Sequence, residues 1–286
     1  MTAGTDRLPD FVIIGAMKSG TTTLQAQLAA QPGIFMTTPK EPNFFSDDAV
    51  FARGAAWYRS LYEGAQPGDL KGEASTHYTK LPTWPRTVAR MAEMLEAPRL
   101  IYVIRDPVAR AVSHYIHEWS EGRMDRDSVT AFEEHPELVD YGRYAMQLEP
   151  YVAAFGIGSI HLTSLEQLKD DPDGELELIR RHLGLSRPLA WNHDLGAQNV
   201  SAERVRKLPL HGLLVDNPVA TALRRALVPK ALRSRIRQAR THGARPELPE
   251  HLEHDLGTRF VDDRAALARL FPDHPALTRC YPFLAA

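Results

Sequence analysis

The chain has 286 residues, long enough to bury a full α/β core as one large domain or two small ones. Its 43% hydrophobic and 24% charged residues are ordinary for a soluble globular protein, and a net charge of −2 removes any global reason to expect a nucleic-acid partner. A single cysteine, Cys280, excludes an internal disulfide and a cysteine-built zinc site.

The N-terminus lacks an apolar signal region and no run approaches 18 apolar residues, so the expected location is cytoplasmic. Residues 11–14, Phe-Val-Ile-Ile, predict a short strand buried on both faces. A turn holding Gly15, Lys18 and Gly20 follows. Residues 21–30 then predict a helix, with Leu24 and Leu28 one turn apart and Pro32-Gly33 as its stop. Such a strand, loop and helix N-terminus form a phosphate site, because the first helical amides lack internal partners and the positive dipole end faces the loop. In a nucleotide triphosphatase loop the lysine follows the second glycine, next to a hydroxyl for magnesium. Here Lys18 precedes Gly20, with Ser19 between them and Thr21, Thr22 and Thr23 after, which suits a phosphate held without a metal.

Residues 34–36 predict a short strand leading into a loop where Pro39 and Pro42 flank Lys40 and Glu41. The prolines stiffen that loop against helix formation, and Glu41 is a candidate general base. Trp57, Tyr58, Leu61 and Tyr62 read as the buried face of a helix, with an aromatic platform for a sugar as the alternative. Residues 70–75 predict a strand or strand end. His77 beyond it is a second base candidate or a hydrogen-bonded loop histidine. Val88, Met91 and Leu95 mark an amphipathic helix closed by Pro98.

Residues 100–104 form a second interior strand, with Arg105 at its carboxyl end, where open α/β sheets bind ligands. Asp106 is expected to cap the next helix and Pro107 to open it, and Ser113 falls on the second turn. An arginine fork and a nearby hydroxyl fit a second, separate phosphate; a pairing of Arg105 with a structural carboxylate is the alternative. His114 and His117 are three apart, but no third metal ligand is evident. Further on, residues 144–155 predict a helix, 159–163 a strand, and Leu176, Ile179 and Leu183 a helical stripe ending at Gly184. Residues 191–199 look irregular. Residues 223–240 carry seven basic side chains and no acidic one, either a solvated surface helix or a dock for a membrane or an anionic acceptor.

Lys18-Ser-Gly-Thr-Thr-x-Leu24 after a strand, with Arg105 and Ser113 some 80 residues later, resembles the sulfotransferase family, which uses 3′-phosphoadenosine 5′-phosphosulfate (PAPS) and releases 3′-phosphoadenosine 5′-phosphate (PAP). Residues 40–45 (Lys-Glu-Pro-Asn-Phe-Phe), Trp57-Tyr58 and residues 72–75 (Gly-Glu-Ala-Ser) are similar to its carbohydrate branch, which includes heparan sulfate sulfotransferases and bacterial relatives. The resemblance covers residues 10–185. It implies a single domain over 1–286: a three-layer α/β fold with a mostly parallel sheet, a P-loop-like phosphate loop and a helical extension over 186–286. It also implies that residues 18–23 hold the 5′-phosphosulfate, that Arg105 and Ser113 hold the 3′-phosphate, and that Glu41 is the base. Asn199 and Arg204 stand near the place of a late cofactor loop whose usual Lys-Gly-Arg is not evident. Ala74 replaces a lysine of the heparan enzymes, so acceptor handling is expected to differ.

The expected reaction is transfer of a sulfuryl group from PAPS, without metal, to a hydroxyl of a carbohydrate, glycolipid or secondary metabolite. A metal-dependent kinase with an atypical loop, using Asp106 for magnesium, and a non-catalytic anion-binding protein are the alternatives.

Overall fold

A computed structural model describes residues 8–124, 127–195, 246 and 248–284. Asn199, Arg204 and the basic stretch 223–240 lie outside the described residues. Five strands, β1 (Phe11–Gly15), β2 (Ile34–Met36), β3 (Leu70–Ala74), β4 (Arg99–Ile104) and β5 (Ile160–Ser164), form one sheet in the order β2-β3-β1-β4-β5. Every neighbouring pair is parallel.

The apolar strands are covered on both faces, as their lack of alternation predicts. Val12 and Ile14 of β1 and Leu100, Tyr102 and Ile104 of β4 enter one cluster. It includes Met91 of α4 (Thr87–Met94), Tyr115 and Trp119 of α5 (Pro107–Ser120) and Leu148 and Tyr151 of α8 (Tyr144–Phe155). Phe11 and Ile13, with Ile101 and Val103, enter the other, against Leu24 and Leu28 of α1 (Thr21–Ala29) and Leu176 and Ile179 of α10 (Pro172–His182). The two strands thus feed two helical layers by simple period-two alternation. Between α1 and α4 the chain adds α2 (Asp48–Phe51) and α3 (Gly54–Ser60); between α5 and α8, α6 (Ser128–Glu134) and α7 (Glu137–Asp140); and after β5, α9 (Leu165–Asp170).

The helical stripe expected around Trp57 is shorter than its sequence pattern. Helix α3 ends at Ser60, yet Tyr62 stays buried in the turn beyond it. Tyr58 stacks on Phe44 at 4.3 Å, while Trp57 lies between Phe44 and the Arg53 guanidinium. These rings fill the core instead of forming an open platform. Late in the chain, helices Glu250–Thr258 and Val261–Leu270 add Leu252, Leu256 and Leu267 to the first cluster. Asp263 accepts hydrogen bonds from the amides of Ala145 and Met146 at 3.1 Å each, capping α8 from another element.

Chain connections leave β1 and β4 in opposite directions along the sheet. Their adjacent carboxyl ends therefore form a crevice, the usual ligand position of such sheets.

Candidate active site

The loop after β1 is shaped by backbone. Lys18 (φ 68°) and Gly20 (φ 89°) both adopt left-handed conformations, which a lysine rarely does. A Cβ at Gly20 would come within 2.8 Å of Leu165 Cδ1, so close packing as well as conformation calls for glycine there. No side chain caps α1; the amides of Thr23 and Leu24 turn back to the Gly20 carbonyl at 3.0 and 3.2 Å. The amides of Thr21 and Thr22 have no backbone partner among the described residues, which suits an anion. The Ser19 amide donates a long hydrogen bond to the Ala16 carbonyl (3.3 Å), and the fully buried Ser19 hydroxyl has no hydrogen-bond partner.

Arg105 follows β4. Its Nη1 donates to the Lys18 carbonyl at 3.2 Å, and its buried Nε has no hydrogen-bond partner. Tyr144 fixes the backbone here, donating from its hydroxyl to the Arg105 carbonyl at 2.8 Å. Arg105 pairs with no described carboxylate, which disfavours the structural-pair alternative. As expected, Asp106 caps α5, accepting from the amides of Val108 (2.8 Å) and Ala109 (3.2 Å), and Pro107 opens it. That commits Asp106 Oδ1 to the backbone, and Glu166 in turn holds the Asp106 amide at 3.1 Å. Ser113 is buried on the second turn of α5.

Glu41 stands in a left-handed conformation (φ 59°), with its amide donating to the Ala74 carbonyl at the end of β3 (3.0 Å). Its Oε1 pairs with Lys40 Nζ at 2.6 Å and accepts from the Thr76 hydroxyl at 3.2 Å. Burial works to raise its pKa, but Lys40 nearby, with help from Lys80 and His77, holds it below the ordinary carboxylate range. The loop continues in contact with the turn after β3: the Asn43 amide meets the Ser75 hydroxyl (3.2 Å), and Arg90 grips the carbonyls of Phe45 and Ser46. His77 stacks on Trp84 at 5.4 Å, its buried Nδ1 without a hydrogen-bond partner. Desolvation and the Lys80 charge push its pKa down to about 4, so it is neutral at physiological pH.

The electropositive side of the crevice was only partly legible in the sequence. Arg110 of α5 is fully buried, donates to the Leu138 carbonyl, and leaves Nε and Nη1 without partners. His114 stacks on Tyr141 at 5.5 Å; burial, then the charges of Arg110, Lys80, His117 and Lys18, depress its pKa to about 2. Lys18, Lys80 and Arg110 thus act on one imidazole. His114 and His117 both approach Glu118, at 3.6 and 3.9 Å, and among the described residues no three His, Cys, Asp or Glu side chains come together as a metal site. Thr76 and Lys80 lack a sequence signal, since a lysine or threonine in a turn is ordinarily solvated.

The family model for the sulfotransferase domain matches residues 8–214, well over half of the chain. The chain belongs to the sulfotransferase family. It is 35% identical over 201 residues to mouse heparan sulfate glucosamine 3-O-sulfotransferase 3B1, covering 67% of this chain and 50% of that protein. It is 31% identical over 198 residues to human heparan sulfate glucosamine 3-O-sulfotransferase 6, covering 66% and 56%. The chain therefore spans about half the length of the curated relatives it matches. A sulfotransferase from Alicyclobacillus acidocaldarius has the same fold, with a TM-score of 0.67 and 23% identity over 95% of this chain and 99% of that one. Family membership implies PAPS as donor and PAP as product, and the donor set fits: an uncapped helix end beside Lys18, and an arginine that pairs with no described carboxylate, suit an anion with two separate phosphates. No helix among the described residues is long and apolar enough to cross a membrane.

Proposed function

We propose that this sulfotransferase-family chain moves a sulfuryl group from PAPS to a hydroxyl of a glycan. The glycan class is supported by the heparan sulfate enzymes among its relatives. PAPS supplies an activated sulfuryl group on a good leaving group. Residues 19–22 bind the 5′-phosphate through amides and hydroxyls, and Arg105 with Ser113 binds the 3′-phosphate. Glu41 takes the acceptor proton as the new O–S bond forms, and Lys18 meets the charge that grows on the bridging oxygen as the old S–O bond breaks. Beyond that proton transfer, the protein's contribution is positioning and charge stabilisation, as in phosphoryl transfer.

The observation that carries this reading is Arg105: a strand-end guanidinium with no carboxylate partner among the described residues, bonded to the carbonyl of Lys18 and so linking the two proposed anion sites. Calorimetric titration without magnesium tests it. PAP should bind tightly and AMP weakly, because only PAP carries the 3′-phosphate. Equal binding of the two, or binding of neither, would reject the assignment. The location of the chain in the cell and any membrane contact through 223–240 stay part of the proposal, with a cytoplasmic enzyme as the reading the sequence supports.

A further inference from the structure

Lys80 has an environment that the reaction described above leaves unexplained. It ends the 3-10 turn Thr76–Thr79 and is 9% exposed, a degree of burial rare for lysine. The backbone around it is fixed from three sides. Thr79 donates its hydroxyl to the Ile14 carbonyl (2.9 Å), Tyr151 its hydroxyl to the Tyr78 carbonyl (2.6 Å), and fully buried Gln147 bonds both the amide and the carbonyl of Leu81 (2.8 and 3.0 Å). The side chain is therefore delivered to one place by a rigid frame, a costly arrangement for a charge with no task.

Its ammonium lies 5.6 Å from the Tyr141 ring centroid and makes neither a hydrogen bond nor an ion pair with any described residue. Two carboxylates face it, and both are engaged elsewhere. Glu41 holds Lys40 and Thr76, and Glu118 of α5 holds Arg123. His77 from its own turn and His114 from α5 are neutral, and Arg110 of α5 and Arg123 just beyond it are like charges. Three N–H donors are thus held near the proposed base with no anion among the described residues to satisfy them.

Position within the crevice tells which anion. Arg105 marks the donor end, where α5 begins. Glu118 lies eleven residues further along that helix than Pro107, roughly 16 Å at the usual rise. Lys80 caps the turn from which Thr76 holds the Glu41 carboxylate, and its ammonium lies within reach of the charges of Glu41 and of Glu118 further along α5. We propose that Lys80 binds an anionic substituent of the acceptor, a sulfate or a carboxylate, and so selects acidic glycans and sets which hydroxyl meets Glu41. This rests on the function proposed above. Burial lowers the pKa of Lys80 to about 8, against the opposing pull of Glu41 and Glu118, so the site would lose its charge just above physiological pH.

The test is calorimetry on the protein saturated with PAP, with heparan sulfate as the acidic probe and dextran as the uncharged one. Wild type should bind heparan sulfate and not dextran. Lys80→Gln should weaken heparan sulfate binding about tenfold to a hundredfold, the scale of one charge-assisted hydrogen bond, with PAP affinity unchanged. Between pH 7 and 9 the wild type should lose affinity for heparan sulfate, while Lys80→Arg, which stays charged, should keep it. That variant carries the test if Lys80→Gln does not fold. Equal heparan sulfate affinity in wild type and Lys80→Gln, no heparan sulfate binding by wild type, or the same pH profile in wild type and Lys80→Arg would overturn the proposal. Failure of wild type to bind PAP would instead strike the sulfotransferase reading itself.

Discussion

At the ends of β1 and β4, residues 16–20 and Arg105 take their positions from backbone continuous with the two most buried strands of the sheet. Glu41 is held differently: its amide rests on β3, its carboxylate on Lys40 and Thr76, and the loop beyond it on Ser75 and Arg90. The proposed donor half of the crevice is thus local strand-and-turn geometry, and the proposed acceptor half is assembled largely from segments far apart in sequence.

The same contrast separates two carboxylates on neighbouring segments. Glu41, beside Lys40, is held below the ordinary range. Glu73 of β3 is fully buried among the hydroxyls of Tyr58 and Tyr78, without a well-formed hydrogen bond to either oxygen, and burial raises its pKa to about 7. Ionised Glu41 can accept a proton, whereas Glu73 belongs to the core.

Substitutions should divide along these lines. Replacing the proposed base has the largest expected effect: Glu41→Gln should lower kcat by about 10²–10⁴, the range for general base catalysis, and leave PAP affinity intact. Persistent activity in steady-state assays would move the role to His77. Arg105→Ala should weaken PAP binding by about 2–5 kcal/mol, as when one partner of a buried charge contact is lost, and AMP binding hardly at all. An equal loss for both nucleotides would mean that Arg105 does not read the 3′-phosphate. Lys18→Ala should lower kcat by about 10²–10³, the scale of removing one donor to a developing oxyanion; near-normal turnover would remove Lys18 from the leaving-group role.

Glu73→Gln should change stability and not chemistry. A carboxyl whose folded pKa is raised costs stability as pH climbs from about 4.5 to about 7, and the full cost, on the order of 3 kcal/mol, persists above that. The variant should therefore gain on wild type in thermal unfolding at pH 8 and lose the gain at pH 4.5. A constant difference across that window would show that Glu73 is not the titrating group. The smallest effect is expected from Lys40→Met. Lys40 favours the ionised form of Glu41, so its removal should move the acid limb of kcat/KM to higher pH. An unmoved acid limb would separate Lys40 from the base.

The two interior strands, the glycine turn before α1, Asp106 and Pro107 at the start of α5 and the helix over Tyr144–Phe155 were all legible in sequence, because each depends on residues within a few positions of one another. Lys18 and Arg105 were legible for the same reason, since each follows directly from a strand end. Tertiary structure decided what no local pattern encodes. It packed Tyr58 and Trp57 against Phe44, left Arg105 paired with no described carboxylate, and set Thr76 and Lys80 near Glu41. Strand and helix signals lie in the period of apolar residues along the chain. The state of a charge depends on which distant groups surround it and how far water is excluded, and only the folded arrangement determines that.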